Sequence, residues 1–164
     1  MKLNRNQIIL LKQLNNSFYL WLFSIFKLPL MFLTGLKIEE IDYSTCKTEV
    51  NNNYLNKNPF KSTYFAVQSM AAELSTGALA LLAVEGLKSD VKFILIGMSG
   101  DFIKKAKDRT FFICNEGEKL HKVVKKARET KKQQKVTVST IGYNKSSEIV
   151  SKFEFTWSFK LKNN

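Results

Sequence analysis

The 164-residue sequence holds one histidine, two cysteines, two prolines and seven glycines, and each scarcity removes a class of protein. With His121 alone, no histidine-based metal cluster can be assembled, and a Ser-His-Asp triad would have to recruit this single residue. His121 lies in the lysine-rich stretch GEKLHKVVKKARETKK with no nucleophile in view, so it is expected to be a solvated helix residue. Cys46 and Cys114 form no Cys-x-x-Cys pair, and no secretory leader with a small-residue cleavage site is expected. Both thiols are expected to be core or strand residues in a reducing cytoplasm. The glycines are scattered, and none builds a phosphate-binding GxGxxG or GxxxxGK[ST] loop. No metal and no cofactor is expected.

Long apolar runs are scarce too. The stretch SFYLWLFSIFKLPLMFLTG, residues 17–35, is interrupted by Lys27 and Pro29 and falls short of the ~20 apolar residues that span a bilayer, so no transmembrane helix is expected. Ile8, Leu11, Leu14, Leu20 and Phe23 mark residues 5–28 as an amphipathic helix packed on the domain, with attachment to a membrane surface as the competing reading. Carboxylates are the minority charge: 14 acidic against 26 basic side chains leave a net charge of +12. Many of the cations fall between Lys104 and Lys135, a cluster suited to the phosphates of an anionic ligand or to a plain solvated face. Nucleic acid fits less well, because the aromatic residues lie in strands and in the N-terminal helix rather than among these lysines.

What the chain does have is order of a recognisable kind. After an N-terminal segment at 1–33, Leu36 to Val50 reads as a hairpin and residues 51–59 as an asparagine-rich loop. Ser62 or Thr63 is placed to cap a long helix ending near Gly86. Strands follow at 91–98, 110–114, 135–143 and 151–162, with a lysine-rich helix at 117–132 between the second and third. The last strand is the clearest, since Phe153, Phe155, Trp157, Phe159 and Leu161 alternate with polar residues. This order predicts an α+β domain at 34–162 in which a long helix lies against one antiparallel sheet.

The residue that demands a reason is Glu73. FAVQSMAAELSTGALALLAV, residues 65–84, is apolar on nearly every face, so a carboxylate there must find a partner, shift its pKa or do chemistry. Ser69 and Thr76 lie about one turn before and after it, and Gly77 leaves space beside it. Two readings stand together: the hydroxyls satisfy a structural Glu73, or they orient a reactive one.

The spacing of Asn58, Tyr64 and Glu73 within this layout resembles the hotdog fold, in which a curved antiparallel sheet wraps a central helix. Thioesterases of the phenylacetic-acid-degradation type carry an Asn, a His-Gly-Gly six residues on, and an acid fifteen after the Asn. Asn58 and Glu73 match the first and last of these, while Tyr64, Phe65 and Ala66 stand at the His-Gly-Gly. The phrases YFAVQSMAAELSTG and FEFTWSFK, together with the extra N-terminal helix, look like an uncharacterised thioesterase-like family of hotdog proteins. The resemblance implies a homodimer or a dimer of dimers acting on acyl-coenzyme A. In that scheme Glu73 is the base or nucleophile, the Phe65 and Ala66 amides hold the oxyanion, Ser69 or Thr76 orients the carboxylate, and Asn58 and Tyr64 contact substrate. The alternative is a non-catalytic acyl- or lipid-binding module of the same fold.

Overall fold

The computed structural model describes residues 3–86 and 90–162 of the chain. Three helices open it: α1 (Arg5–Leu14), α2 (Ser17–Lys27) and α3 (Pro29–Thr34), followed by strands β1 (Lys37–Ile41) and β2 (Cys46–Val50). Then come the long α4 (Phe65–Glu85), β3 (Val91–Phe102), β4 (Thr110–Cys114), α5 (Gly117–Thr130), β5 (Gln134–Tyr143) and β6 (Ile149–Leu161). All six strands form one antiparallel sheet in the order β1-β2-β4-β5-β6-β3.

Helix α4 packs against every one of the six strands. Flat, such a sheet would measure about 24 Å across, from five gaps of ~4.8 Å, far wider than a helix of ~10 Å diameter. The sheet therefore has to curl around α4, and this is the hotdog arrangement. Alanines at 71, 72, 78, 80 and 83 are all buried and let the strands approach closely, while Leu79, Leu82, Phe112, Phe153, Phe155 and Phe159 fill the space between.

The N-terminal segment is not the single helix expected at 5–28. Asn15 closes the first run and Asn16 caps the second, the Asn16 Oδ1 accepting from the Tyr19 amide at 2.9 Å. The adjacent Asn15 is held by β1, donating to the Ile41 carbonyl at 2.8 Å and accepting from the Ile41 amide at 3.0 Å. Pro29 starts α3, where its missing N–H costs nothing, and Gly35 closes it in the left-handed region at φ 67°. Helix α1 is latched to the far end of α4, with Gln7 donating to the Leu82 carbonyl at 3.1 Å and Asn4 to the Gly86 carbonyl at 2.8 Å. Met1 and Lys2 of the expected N-terminal segment lie outside the described residues.

Two further expectations are corrected. The cap residue of α4 is Tyr64, without a side-chain cap; the backbone amides of Thr63 and Tyr64 bond instead to the Ala106 and Asn56 carbonyls, both at 2.7 Å. His121 is buried rather than solvated. Its ring stacks on Tyr43 at 3.9 Å between centroids and 6° between planes, and its Nε2 is enclosed without a partner among the described residues. Leu120, Val124 and Ala127 are buried beside it, so the lysines cover only the opposite face of α5.

Burial lowers the His121 pKa from the usual 6.5 to about 4, against a smaller opposing effect of its hydrogen bond with the Tyr43 backbone. The unfolded chain thus takes up this proton first, and the stability His121 lends is present above pH 6.5 and lost as pH falls toward about 4. Replacing His121 with Phe keeps the stack and removes the proton. The thermal midpoint of the wild type should drop between pH 7 and pH 4 by roughly 3–6 °C more than that of His121→Phe in parallel calorimetry, and equal drops would contradict this role.

Candidate functional site

The buried polar side chains of α4, Gln68, Ser75 and Thr76, each have a partner on the sheet. Gln68 donates to the Thr63 carbonyl at 3.0 Å and accepts from Ser151 Oγ at 3.1 Å. Ser75 Oγ meets Thr140 Oγ1 at 2.9 Å, and Thr76 Oγ1 accepts from the Trp157 indole at 3.2 Å. From the other side, Thr48 on β2 donates to the Ala71 carbonyl at 2.7 Å.

Glu73 is the exception. No hydrogen bond or ion pair reaches its carboxylate among the described residues, and burial raises its pKa above the usual 4.5. Its Oε1 lies over Gly77, where a Cβ would come within 2.8 Å of it and within 3.5 Å of the Trp157 ring. Any side chain at 77 would have to displace the carboxylate, so the glycine keeps this space open.

Glu73 lines two adjoining apolar cavities beneath the N-terminal helices. One, of about 240 Å³, is enclosed by Leu20 and Phe23 of α2, Leu74 and Leu81 of α4, Phe93 of β3 and Trp157 of β6. The other, of about 300 Å³, opens past Lys27, Leu28, Pro29 and Leu30 and includes Met70. Leu28, Met31, Glu73 and Leu74 are common to both. The α2–α3 corner therefore covers the carboxylate, a contribution that the sequence reading did not assign to it.

The remaining expected site residues divide into two groups. Asn58, Tyr64 and Phe65 share a groove of about 490 Å³ at the start of α4 with Phe102, Lys104 and Lys105. The amides of Phe65 and Ala66 have no partner among the described residues and point out of the positive end of α4. Asn58 Oδ1, however, is taken up by its own loop, accepting from the Phe60 amide at 3.0 Å and from the Ser62 amide and hydroxyl at 3.2 Å each. The Tyr64 ring packs on Phe65 at 4.6 Å.

Ser69 and Thr76 do not orient the Glu73 carboxylate. Ser69 Oγ donates to the Phe65 carbonyl at 2.9 Å, one turn back along the helix. Thr76 Oγ1 donates to the Glu73 backbone carbonyl at 3.0 Å. Such back-bonding to the preceding turn is the ordinary alternative for Ser and Thr inside a helix. Asn56, which the sequence reading passed over, is fully buried and donates to the Thr34 and Asn51 carbonyls at 2.7 and 2.9 Å, fixing the loop that presents the start of α4. The asparagine-rich composition of 51–58 concealed which Asn was buried.

The basic cluster also divides. Lys104 pairs with Glu148 at 2.7 Å, Arg109 with Glu49 at 3.3 Å and Lys119 with Glu116 at 3.0 Å. Lys104 and Lys105 border the groove at the α4 start, whereas the lysines of α5 lie on a helix packed against α4 and β5.

Solved structures share this architecture. The Pseudomonas aeruginosa protein PA5026, described as a probable thioesterase, superposes with a TM-score of 0.78 at 17% identity, over 90% of this chain and 97% of that one. OLEI01261 of Chlorobaculum tepidum, of unknown function, gives 0.75 at 18% identity over 90% and 94%. The thioesterase HI1161 of Haemophilus influenzae gives 0.63 at 8% identity over 85% and 88%. No curated protein matches the chain at a significant level. Residues 20–159 match the family described as a domain of unknown function, DUF4442, and the chain belongs to that family.

Proposed function

We propose that the protein binds an acyl thioester of coenzyme A and hydrolyses it with Glu73 as general base. The observation that carries this reading is the unpaired Glu73 carboxylate, held in an apolar cavity where burial raises its pKa above the ordinary carboxylate value. Glu73 removes a proton from water, and the hydroxide oxygen bonds to the thioester carbon. The carbonyl electron pair moves onto oxygen, stabilised by backbone amides at a helix start. As the tetrahedral intermediate collapses, the C–S bond breaks and the proton on Glu73 passes to the leaving sulfur.

One chain does not supply both halves of this site. Phe65 and Glu73 are eight residues apart on α4, about 12 Å along the axis at ~1.5 Å per residue. A second copy supplies the missing half in our reading. The long β3 is an edge strand, and Ile94, Ile96 and Met98 stand exposed along it. Such an edge invites pairing with another strand. Two-fold pairing of β3 with β3 sets the two α4 helices antiparallel, so the start of one faces the middle of the other. Lys104 and Lys105, beside the α4 start, are then placed to meet the coenzyme A phosphates. A non-catalytic acyl-binding module is the second reading, favoured by the helix start, where Tyr64 packs on Phe65 and Asn58 is occupied within its loop.

Glu73→Gln separates the two. Against a panel of acyl-coenzyme A thioesters, the variant should lose turnover by a factor on the order of 10². Because the native pKa is raised, Glu73 lends stability at low pH that is lost as pH rises through the native value. The Gln variant should therefore be more stable than the wild type at pH 8, with the advantage vanishing near pH 4. Undiminished hydrolysis by the variant would place the base elsewhere, and a wild type that binds thioesters without turning them over would leave the binding module.

Sedimentation tests the composite site. The wild type should run as a dimer or larger at micromolar concentration, and Ile96→Lys, on the exposed edge, should run as a monomer without hydrolytic activity. A wild-type monomer that still hydrolyses thioesters contradicts the shared site.

A further inference from the structure

Helix α2 turns its apolar side outward. Only Leu20 and Ser24 of its eleven residues are buried. Phe18, Leu22 and Phe26 recur every four residues on the side opposite to these two, and Phe18 and Phe26 are 72% and 73% exposed. Trp21 on α2 and Leu30 and Leu33 on α3 extend the patch, again more than half exposed. A surface helix of a water-soluble domain places charged and polar residues at such positions. Exposed large apolar side chains gathered on one helix face in this way point to a docking surface.

The charge around the patch selects the occupant. Residues 1–38 contain no Asp or Glu, and the first carboxylate, Glu39, is paired with Lys47 at 2.9 Å. Arg5, Lys12, Lys27 and Lys37 are exposed along the same segment. A second copy of the chain seated here would bring cations to cations with no carboxylate on either segment to offset them. A hydrocarbon surface beneath negative headgroups suits both features, and a Trp beside Phe and Leu suits the boundary between them. At ~1.5 Å per residue, eleven residues reach about 16 Å, roughly half the hydrocarbon thickness, so α2 is too short to cross and long enough to lie in the interface.

We propose that α2 and α3 dock the protein on anionic lipid bilayers, with Phe18, Trp21, Phe26 and Leu30 inserted among the headgroups and the flanking cations on the phosphates. The proposal goes beyond thioester chemistry and stands without it. It has a consequence for the site, because Lys27, Leu28 and Leu30 also border the open cavity that contains Glu73. Docking sets that opening on the bilayer, where acyl chains are concentrated.

The test uses the full-length protein with vesicles of phosphatidylcholine alone or mixed equally with phosphatidylglycerol. Co-sedimentation should show binding to the mixed vesicles at least about tenfold tighter than to the neutral ones, and weaker binding as salt is raised. Binding should shift tryptophan emission to the blue, and Trp21→Phe should abolish the shift, because Trp157 is buried at 4% exposure. Phe18→Ser with Phe26→Ser should reduce vesicle binding by about tenfold or more at unchanged thermal midpoint and unchanged sedimenting mass. Failure to bind anionic vesicles overturns the proposal, as does full binding by the double variant, which would assign attraction to the lysines of α5. A double variant that loses mass in sedimentation makes this face a contact between copies, and that too overturns it.

Discussion

Burial of α4 is possible because the polar groups it turns inward are matched one by one by the sheet. Gln68 meets Ser151, Ser75 meets Thr140, Thr76 meets Trp157, and the Ala71 carbonyl meets Thr48. These partners come from β2, β5 and β6, so the bonds fix both the rotation of the helix and its height within the curl. Each is worth about 1 kcal/mol net, but leaving one unmade inside the core would cost more, and this penalty keeps the helix in a single register.

Against that background Glu73 stands apart. The same helix that satisfies its other inward polar groups leaves one carboxylate facing hydrocarbon, with Gly77 making room and Trp157 walling one side. A structural carboxylate would be expected to share in the matching. Burial raises the Glu73 pKa, and no partner among the described residues offsets it. The α2–α3 corner contributes the apolar roof, which links the N-terminal helices to the site rather than leaving them an appendage.

Much of the fold was legible in the sequence because period-two and all-apolar patterns survive without tertiary knowledge. The alternation of Phe153, Phe155, Trp157 and Phe159 gave β6, and the unbroken apolar face from Phe65 onward gave α4. The N-terminal division was written in Asn15-Asn16-Ser17 and Pro29, a cap signal and a helix-start signal that the apolar periodicity across them hid. His121 was misjudged for a related reason. It sits next to Leu120 and three residues before Val124, on the buried side of α5, and the surrounding lysines drew attention to the other face.

At the site, the identity and isolation of Glu73 were readable, whereas the roles of its neighbours were not. Whether Ser69 and Thr76 bond to a carboxylate or to their own backbone depends on rotamers that spacing leaves undetermined. Likewise, the sequence could place Asn58 at the right distance from Glu73 without showing that the Asn58 oxygen is used within its loop. The central claim is that Glu73 is an unpaired carboxylate in an apolar cavity, and the direct measurement is its own titration by NMR of the side-chain carboxyl carbon. The account predicts a midpoint clearly above the ordinary 4.5; a midpoint at or below that value would mean that Glu73 is paired or solvated, and would contradict it.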